Sequence, residues 1–227
     1  MRIRAVVVVI PARNEEALIG RCLASVLAAA ELCSVPVHVT VVADGCTDAT
    51  AEIARSFDGV TVLEVAEANV GRARAVGVTS AMRAARVATS TLWIANTDAD
   101  SEVPLNWLAD QVELAAGGTD LVIGTVRPDF ADLSAEQVAA WHASHTPGRP
   151  NGHVHGANLG IRASVYKAAR GFGPLAEHED VDLVARCMLL NCVSLASNDF
   201  EVRTSGRQFG RTDGGYARYL REELLNR

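Results

Sequence analysis

The stretch AVVVVIPARNEE, residues 5–16, changes character halfway along. Its first six residues are apolar and mostly β-branched, without the alternation of a strand that has one wet face. Such a run reads as a strand of a parallel sheet covered on both faces. The remaining six, PARNEE, are largely polar and charged and fall where that strand must end. The following NEEALIGRCLASVLAAAEL has apolar residues at helical spacing behind two acids, which predicts a helix with acids in its first turn.

The same alternation recurs further along the chain. VHVTVVA (37–43), VTVLEV (60–65) and TLWIAN (91–96) read as strands. TDATAEIARSF (47–57) reads as a helix with a Thr or Asp cap, the Ala/Arg-rich segment 71–88 as a second, and 104–116 as a third with Pro104 in its first turn. Strands alternating with helices predict a doubly wound, mostly parallel α/β sheet with helices on both faces. Right-handed crossovers favour the strand order 3-2-1-4, with the chain reversing direction between strands 1 and 4. Ligands bind such sheets at the carboxyl ends of the strands beside that switch point. Here those ends are PARNEE (11–16) and NTDADS (96–101), so two polar motifs are expected to face one crevice.

Beyond residue 120 the pattern loosens. LVIGTV (121–126) reads as a strand and SAEQVAAWHAS (134–144) as a helix. HTPGRPNGHVHG (145–156) has turn and loop chemistry, fitting either a lid or a surface connection. YARYLREELLNR (216–227) reads as an amphipathic, charged helix. No repeat or linker divides the chain, so a single domain is expected.

The bulk properties agree. A chain of 227 residues, 49% hydrophobic and 21% charged, suits one large α/β domain. A net charge of −6 argues against a nucleic-acid or anionic-membrane binder. Lys167 is the only lysine, a compositional bias towards Arg. The five cysteines have irregular spacing and form neither a CxxC pair nor a Cys/His zinc pattern, as expected of buried thiols in a reducing compartment. The apolar run near the start is about half the ~18 residues of a membrane span. It also lacks a small-residue cleavage site. A soluble, cytoplasmic protein is expected.

The crevice lacks the usual phosphate devices, GxGxxG and GxxxxGK[ST]. Asp98 and Asp100 would repel a phosphate unless a divalent cation sat between them, and Mg²⁺ or Mn²⁺ is the oxygen-loving ion for that bridge. A second reading makes the same acids a polar turn that caps the helix near Pro104. The tripeptide alone leaves both open.

VVVVIPARNEEALIGRCLASV, VTVVADGCTDATAEIA, NVGRARAVGV, NTDADS and EHEDVDLVAR stand in the order found in family 2 glycosyltransferases of the GT-A fold, and the resemblance spans about residues 4 to 186. It implies that Pro11, Ala12, Arg13 and Glu15 line the base and ribose of a nucleotide. Asp44 matches the second acid of the family's DDGSTD segment, which contacts the base. Ala43 and Cys46 depart from that segment, so the resemblance does not name the nucleotide. Arg74 aligns with an arginine that faces the nucleotide or diphosphate. Asp98 and Asp100 resemble the DxD motif, with Asp100 the direct metal ligand and Asp98 nearer the ribose.

Glu179 and Asp180 resemble the ED motif, whose Asp is the catalytic base in inverting members. A sugar hydroxyl is a weak nucleophile near neutral pH, so a carboxylate must take its proton. The same acids also fit a solvated helix start, with Asp182 a competitor for the base. His153, His155 and His178 are candidates for acceptor contact or for a metal position, and Asn158 in GANLGIR (156–162) resembles a segment near the acceptor. Trp107 and Trp141 are expected to pack. Arg207 and Arg211 are candidates to reach the diphosphate. The QxxRW signature of processive synthases is absent.

The resemblance thus implies a metal-dependent, inverting transfer of one sugar from a nucleotide-diphosphate sugar to a small or soluble acceptor. About residues 1–126 would bind the nucleotide sugar, and about 127–227 the acceptor and base. Homodimerisation stays open. The alternatives are a sugar-phosphate nucleotidyltransferase and a non-catalytic nucleotide-sugar-binding protein.

Overall fold

The opening run folds into β1 (Ala5–Ala12). The computed structural model describes residues 2–146, 148–210 and 214–226. Within β1 the lack of alternation has a direct cause: the two faces feed two different cores. Val6, Val8 and Ile10 join a cluster on one side of the sheet, and Ala5, Val7 and Val9 join a cluster on the other. Burying each Val or Ile stabilises the fold by about 1.5–3 kcal/mol relative to exposure.

β1 pairs in parallel with β2 (Val37–Asp44), which pairs with β3 (Val60–Val65); on its other side β1 pairs in parallel with β4 (Leu92–Asn96). This is the expected 3-2-1-4 order. Helices α1 (Ile19–Glu31), α2 (Thr50–Arg55) and α3 (Val70–Ala85) make the crossovers. α3 lies directly on the sheet: a Cβ at Gly77 would come within 2.6 Å of Val9 and 2.7 Å of Val42.

Three helix starts differ from expectation. α2 begins at Thr50 behind Ala49, with no side-chain cap. α1 begins at Ile19 with no acid in its first turn. Glu15 and Glu16 form the preceding turn instead, where the Glu15 carbonyl accepts the Ile19 N–H and the Glu16 carboxylate accepts the Ala49 N–H beside α2. Pro104 also precedes its helix, accepting the Trp107 N–H where α4 (Trp107–Ala116) begins.

Beyond β4 the sheet becomes mixed, through β5 (Ser101–Glu102), β6 (Leu121–Pro128), β7 (Leu159–Arg162) and β8 (Ser194–Thr204). Among the described residues the order is β3-β2-β1-β4-β7-β6-β8-β5. β7 runs antiparallel to both β4 and β6, β8 runs parallel to β6, and β5 is antiparallel to β8. β7 and β8 had no strand signal in the sequence. Their consequence is local: Ser101 pairs with Thr204, so the chain near residue 204 comes to the end of NTDADS.

α5 (Ala135–Ser144) carries a capping box between Ser134 and Gln137. α6 (Ala163–Ala168) and α7 (Glu179–Met188) pack on the β7 side of the sheet. The expected C-terminal helix is broken up: α8 (Gly215–Arg218) gives way to wider and then tighter turns through Asn226. Trp107 and Trp141 are both buried, as expected. Among the described residues no helix is long and apolar enough to cross a membrane.

Candidate active site

The carboxyl ends of β1, β2 and β4 open into a cleft of about 890 Å³. Pro11, Ala12, Arg13 and Glu15 line it from the loop after β1, and Asp44 from the end of β2. Arg74 enters from α3, Asp98 and Asp100 from the loop after β4, and His178, Glu179 and Asp180 from the start of α7. His155 completes the wall. Topology thus gathers residues separated by more than 160 positions into one cavity.

Arg74 is the hub. Its side chain is 2% exposed, its Nε donates to Glu179 Oε1 at 3.0 Å, and an Nη pairs with Asp98 Oδ1. Burial disfavours its charge, but Asp98 and Glu179 outweigh this and raise its pKa above the ordinary value. The guanidinium therefore stays cationic and ties the DxD loop to the ED segment. Burial raises the Glu179 pKa, although the neighbouring Arg74 opposes the shift. Asp180 is also shifted up by burial, against the pull of Arg74 and of backbone N–H groups. Its carboxylate accepts the N–H of Gly156 and, at 2.8 Å, that of Val181.

Asp100 occupies a second charged knot. Arg207 pairs with Asp100 Oδ2 at 2.7 Å and with Glu15 at 2.8 Å. The Asp100 backbone carbonyl accepts the Ser205 N–H, and the Thr204 hydroxyl donates to its side chain at 3.3 Å. Burial pushes the Asp100 pKa up to about 6; Arg207 opposes the shift, and Asp98 and Glu15 add to it. Neither acid caps α4, whose start has no side-chain cap. The capping reading of DAD is therefore set aside.

Asp44 lines the cleft and also holds its rim in place. Its two oxygens accept the N–H groups of Glu67, Ala68 and Asn69 at 2.7–3.0 Å, pinning the turn between β3 and α3 at the cleft rim. His155 is held neutral: burial and the nearby His153 push its pKa down to about 4. Its Nε2 is buried with no hydrogen-bond partner, and its ring lies edge-on to Tyr216 at 5.6 Å. His178 takes the left-handed conformation just before α7, with φ 59°.

Asn158 is a correction. It is wholly buried outside the cleft, and its carboxamide is committed to the Trp107 indole N–H and the carbonyls of Thr125 and Phe200. With both ends of the amide committed in the core, it is not an acceptor contact. Arg211 lies outside the described residues. Glu15 sits in the cleft as expected, but its link to Arg207 across 192 positions has no trace in the local sequence. Nor does the role of Gly156, where a Cβ would meet the Arg74 guanidinium at 2.5 Å.

The comparison with known families bears directly on this geometry. A family model described as glycosyl transferase family 2 matches residues 7–169, a span that includes Glu15, Asp44, Arg74, Asp98 and Asp100. The chain belongs to glycosyl transferase family 2.

Other members and neighbours set the scale of the likeness. The 4,4'-diaponeurosporenoate glycosyltransferase of Staphylococcus aureus strain USA300 is 45% identical over 69 residues, which is 30% of this chain and 17% of that protein. TarS 1-349 of S. aureus, solved with UDP-GlcNAc, superposes with a TM-score of 0.67 at 16% identity, covering 95% of this chain and 62% of that one. The mannosyltransferase PcManGT of Pyrobaculum calidifontis, solved with GDP-Man and Mn²⁺, gives 0.66 at 23% identity, covering 93% and 59%. This family 2 chain therefore has the GT-A fold and spans only part of the length of these proteins.

Proposed function

We propose that this chain transfers a single sugar from a nucleotide-diphosphate sugar to a small or soluble acceptor, with inversion at the anomeric carbon. The observation that carries the reading is the Arg74 bridge. One buried guanidinium ties Asp98 to Glu179, the neighbour of Asp180, so the acids suited to a diphosphate and the acid suited to a proton share one cavity. Solved neighbours with UDP-GlcNAc, or with GDP-Man and Mn²⁺, support this class of donor and ion.

The residues present fit a divalent cation, Mn²⁺ or Mg²⁺. Asp98 and Asp100 both line the cleft and would offer two carboxylates, although among the described residues no group of three His, Cys, Asp or Glu is placed to hold a metal ion by itself. Mg²⁺ favours this arrangement, taking one or two carboxylates and completing its shell with substrate phosphates and water. Bound at Asp98 and Asp100, the ion would act as a Lewis acid on the departing nucleoside diphosphate.

The protein's own residues supply the remainder. Asp180 accepts the proton of the acceptor hydroxyl as its oxygen attacks C1 and the bond from C1 to the diphosphate breaks. The raised pKa of Asp180 brings it closer to the working pH, where a general base is most effective. Glu179 holds Arg74, and Arg74 holds Asp98. His155 and His178 line the same cleft and are assigned to the acceptor, with His155 neutral and adding no charge there.

The test is to incubate the protein with Mn²⁺, nucleotide sugars and simple sugar acceptors and to identify the released product. Nucleoside diphosphate is expected, with release lost in Asp180→Asn. Pyrophosphate release would instead make the chain a nucleotidyltransferase.

A further inference from the structure

Both acids of the DAD motif already face a guanidinium, but the two pairings differ in kind. Arg74, on α3, is also committed to Glu179 and is 2% exposed. Arg207 is 31% exposed and stands three residues beyond the end of β8, outside any helix or strand. Its guanidinium spans two buried carboxylates, reaching Asp100 at 2.7 Å and Glu15 at 2.8 and 2.9 Å. Asp100 and Glu15 are 12% and 7% exposed, so the Arg207 charge helps to compensate both against the low-dielectric wall. The Asp100 oxygen that it occupies belongs to a carboxylate assigned above to the divalent cation.

We propose that Arg207 is a stand-in cation. It neutralises Asp100 and Glu15 while the donor is absent, and it releases Asp100 only when a diphosphate arrives to receive the guanidinium. A planar fork of N–H donors matches phosphate oxygens as well as it matches carboxylates. Cation and diphosphate binding are thereby coupled: each raises the affinity of the other by the same factor. The cleft collects the ion only weakly when the ion is alone, and with the donor Arg207 moves from the DAD motif onto the leaving group. This inference rests on the cation–diphosphate reading above.

The test is a titration of free Mn²⁺ by electron paramagnetic resonance on the 227-residue chain, with and without UDP, GDP, ADP and dTDP. Wild-type protein is expected to bind Mn²⁺ weakly alone and more tightly with one of the nucleotides, by about 5–150-fold. Arg207→Gln is expected to bind Mn²⁺ alone more tightly than wild type and to bind the nucleotide more weakly, so that the coupling shrinks. Arg207→Lys, which keeps the charge, is expected to retain most of it. Equal Mn²⁺ affinity of wild type and Arg207→Gln without nucleotide would overturn the stand-in role and leave the donor reading intact. Failure of both proteins to bind Mn²⁺ with any of the four nucleotides would overturn both.

Discussion

Arg74 and Arg207 carry the same charge to the same pair of motif acids, yet they sit in opposite physical settings. Arg74 comes from a helix packed on the sheet and is enclosed by Asp98 and Glu179; Arg207 comes from an irregular segment and keeps about a third of its side chain in contact with solvent. The contrast shows how one cleft can combine a fixed part with an exchangeable one. A buried ion pair is expensive to break, because the partner left behind is charged and dry. A partly exposed arginine can leave its buried acids when another cation takes its place, because their charge then stays compensated. The fixed arginine holds Asp98 and Glu179 to one guanidinium, while the proposed role of the other is to follow the ligand.

Substitutions separate the two settings, beginning with the largest effect. Arg74→Met should cost about 3–5 kcal/mol in urea denaturation, since it strands Glu179 inside the protein. An unfolding curve matching wild type would erase the contrast. Asp180→Asn, at the same end of the network, should lower the turnover rate by about 10²–10⁴-fold while leaving the folded state and donor affinity unchanged. The pH dependence has a definite sign. As the proposed base Asp180 would work deprotonated, and burial raises its pKa, so activity should fall as pH drops through a value above the ordinary aspartate range. A rate profile with no acid limb above that range would count against burial as the cause.

Gly156→Ala tests how tightly the fixed end is packed. Its Cβ would press on the Arg74 guanidinium and should cost about 1–3 kcal/mol. Arg207→Gln leaves Asp100 and Glu15, both largely buried, without this partner and should cost about 1–3 kcal/mol, less than Arg74→Met. A loss as large as that of Arg74→Met would make Arg207 a second fixed strut.

The parts legible in the sequence are those where one local signal decides. β1, β2 and β4 are apolar runs ending in polar motifs, and right-handed crossovers fix their order, so the acids of PARNEE and NTDADS could be placed in one crevice. β8 gave no such signal. Its sequence SLASNDFEVRT mixes polar and apolar residues because only part of it faces the core. β7 is four residues long and follows a turn at Gly156–Asn158, too short a run to show a strand pattern. The resemblance of GANLGIR to an acceptor segment pointed Asn158 to the acceptor, whereas its carboxamide ties Trp107 to two core carbonyls. Ion-pair partners were the least legible. Glu15 and Arg207, 192 positions apart, meet only because Ser101 pairs with Thr204 and carries the following residues to the DAD loop.

The central claim, that this cleft holds a nucleotide sugar through Asp98 and Asp100 with a divalent cation, is most directly tested by thermal unfolding. UDP-, GDP-, ADP- and dTDP-sugars would each be added with and without Mn²⁺, to wild type and to Asp100→Asn. A ligand at a hundred times its Kd adds about 2.7 kcal/mol to the folded state, so one of these sugars with Mn²⁺ should raise the wild-type Tm by about 5–10 °C. That rise should shrink without Mn²⁺ and in Asp100→Asn. No rise with any sugar, or a rise indifferent to both Mn²⁺ and Asp100, would contradict it.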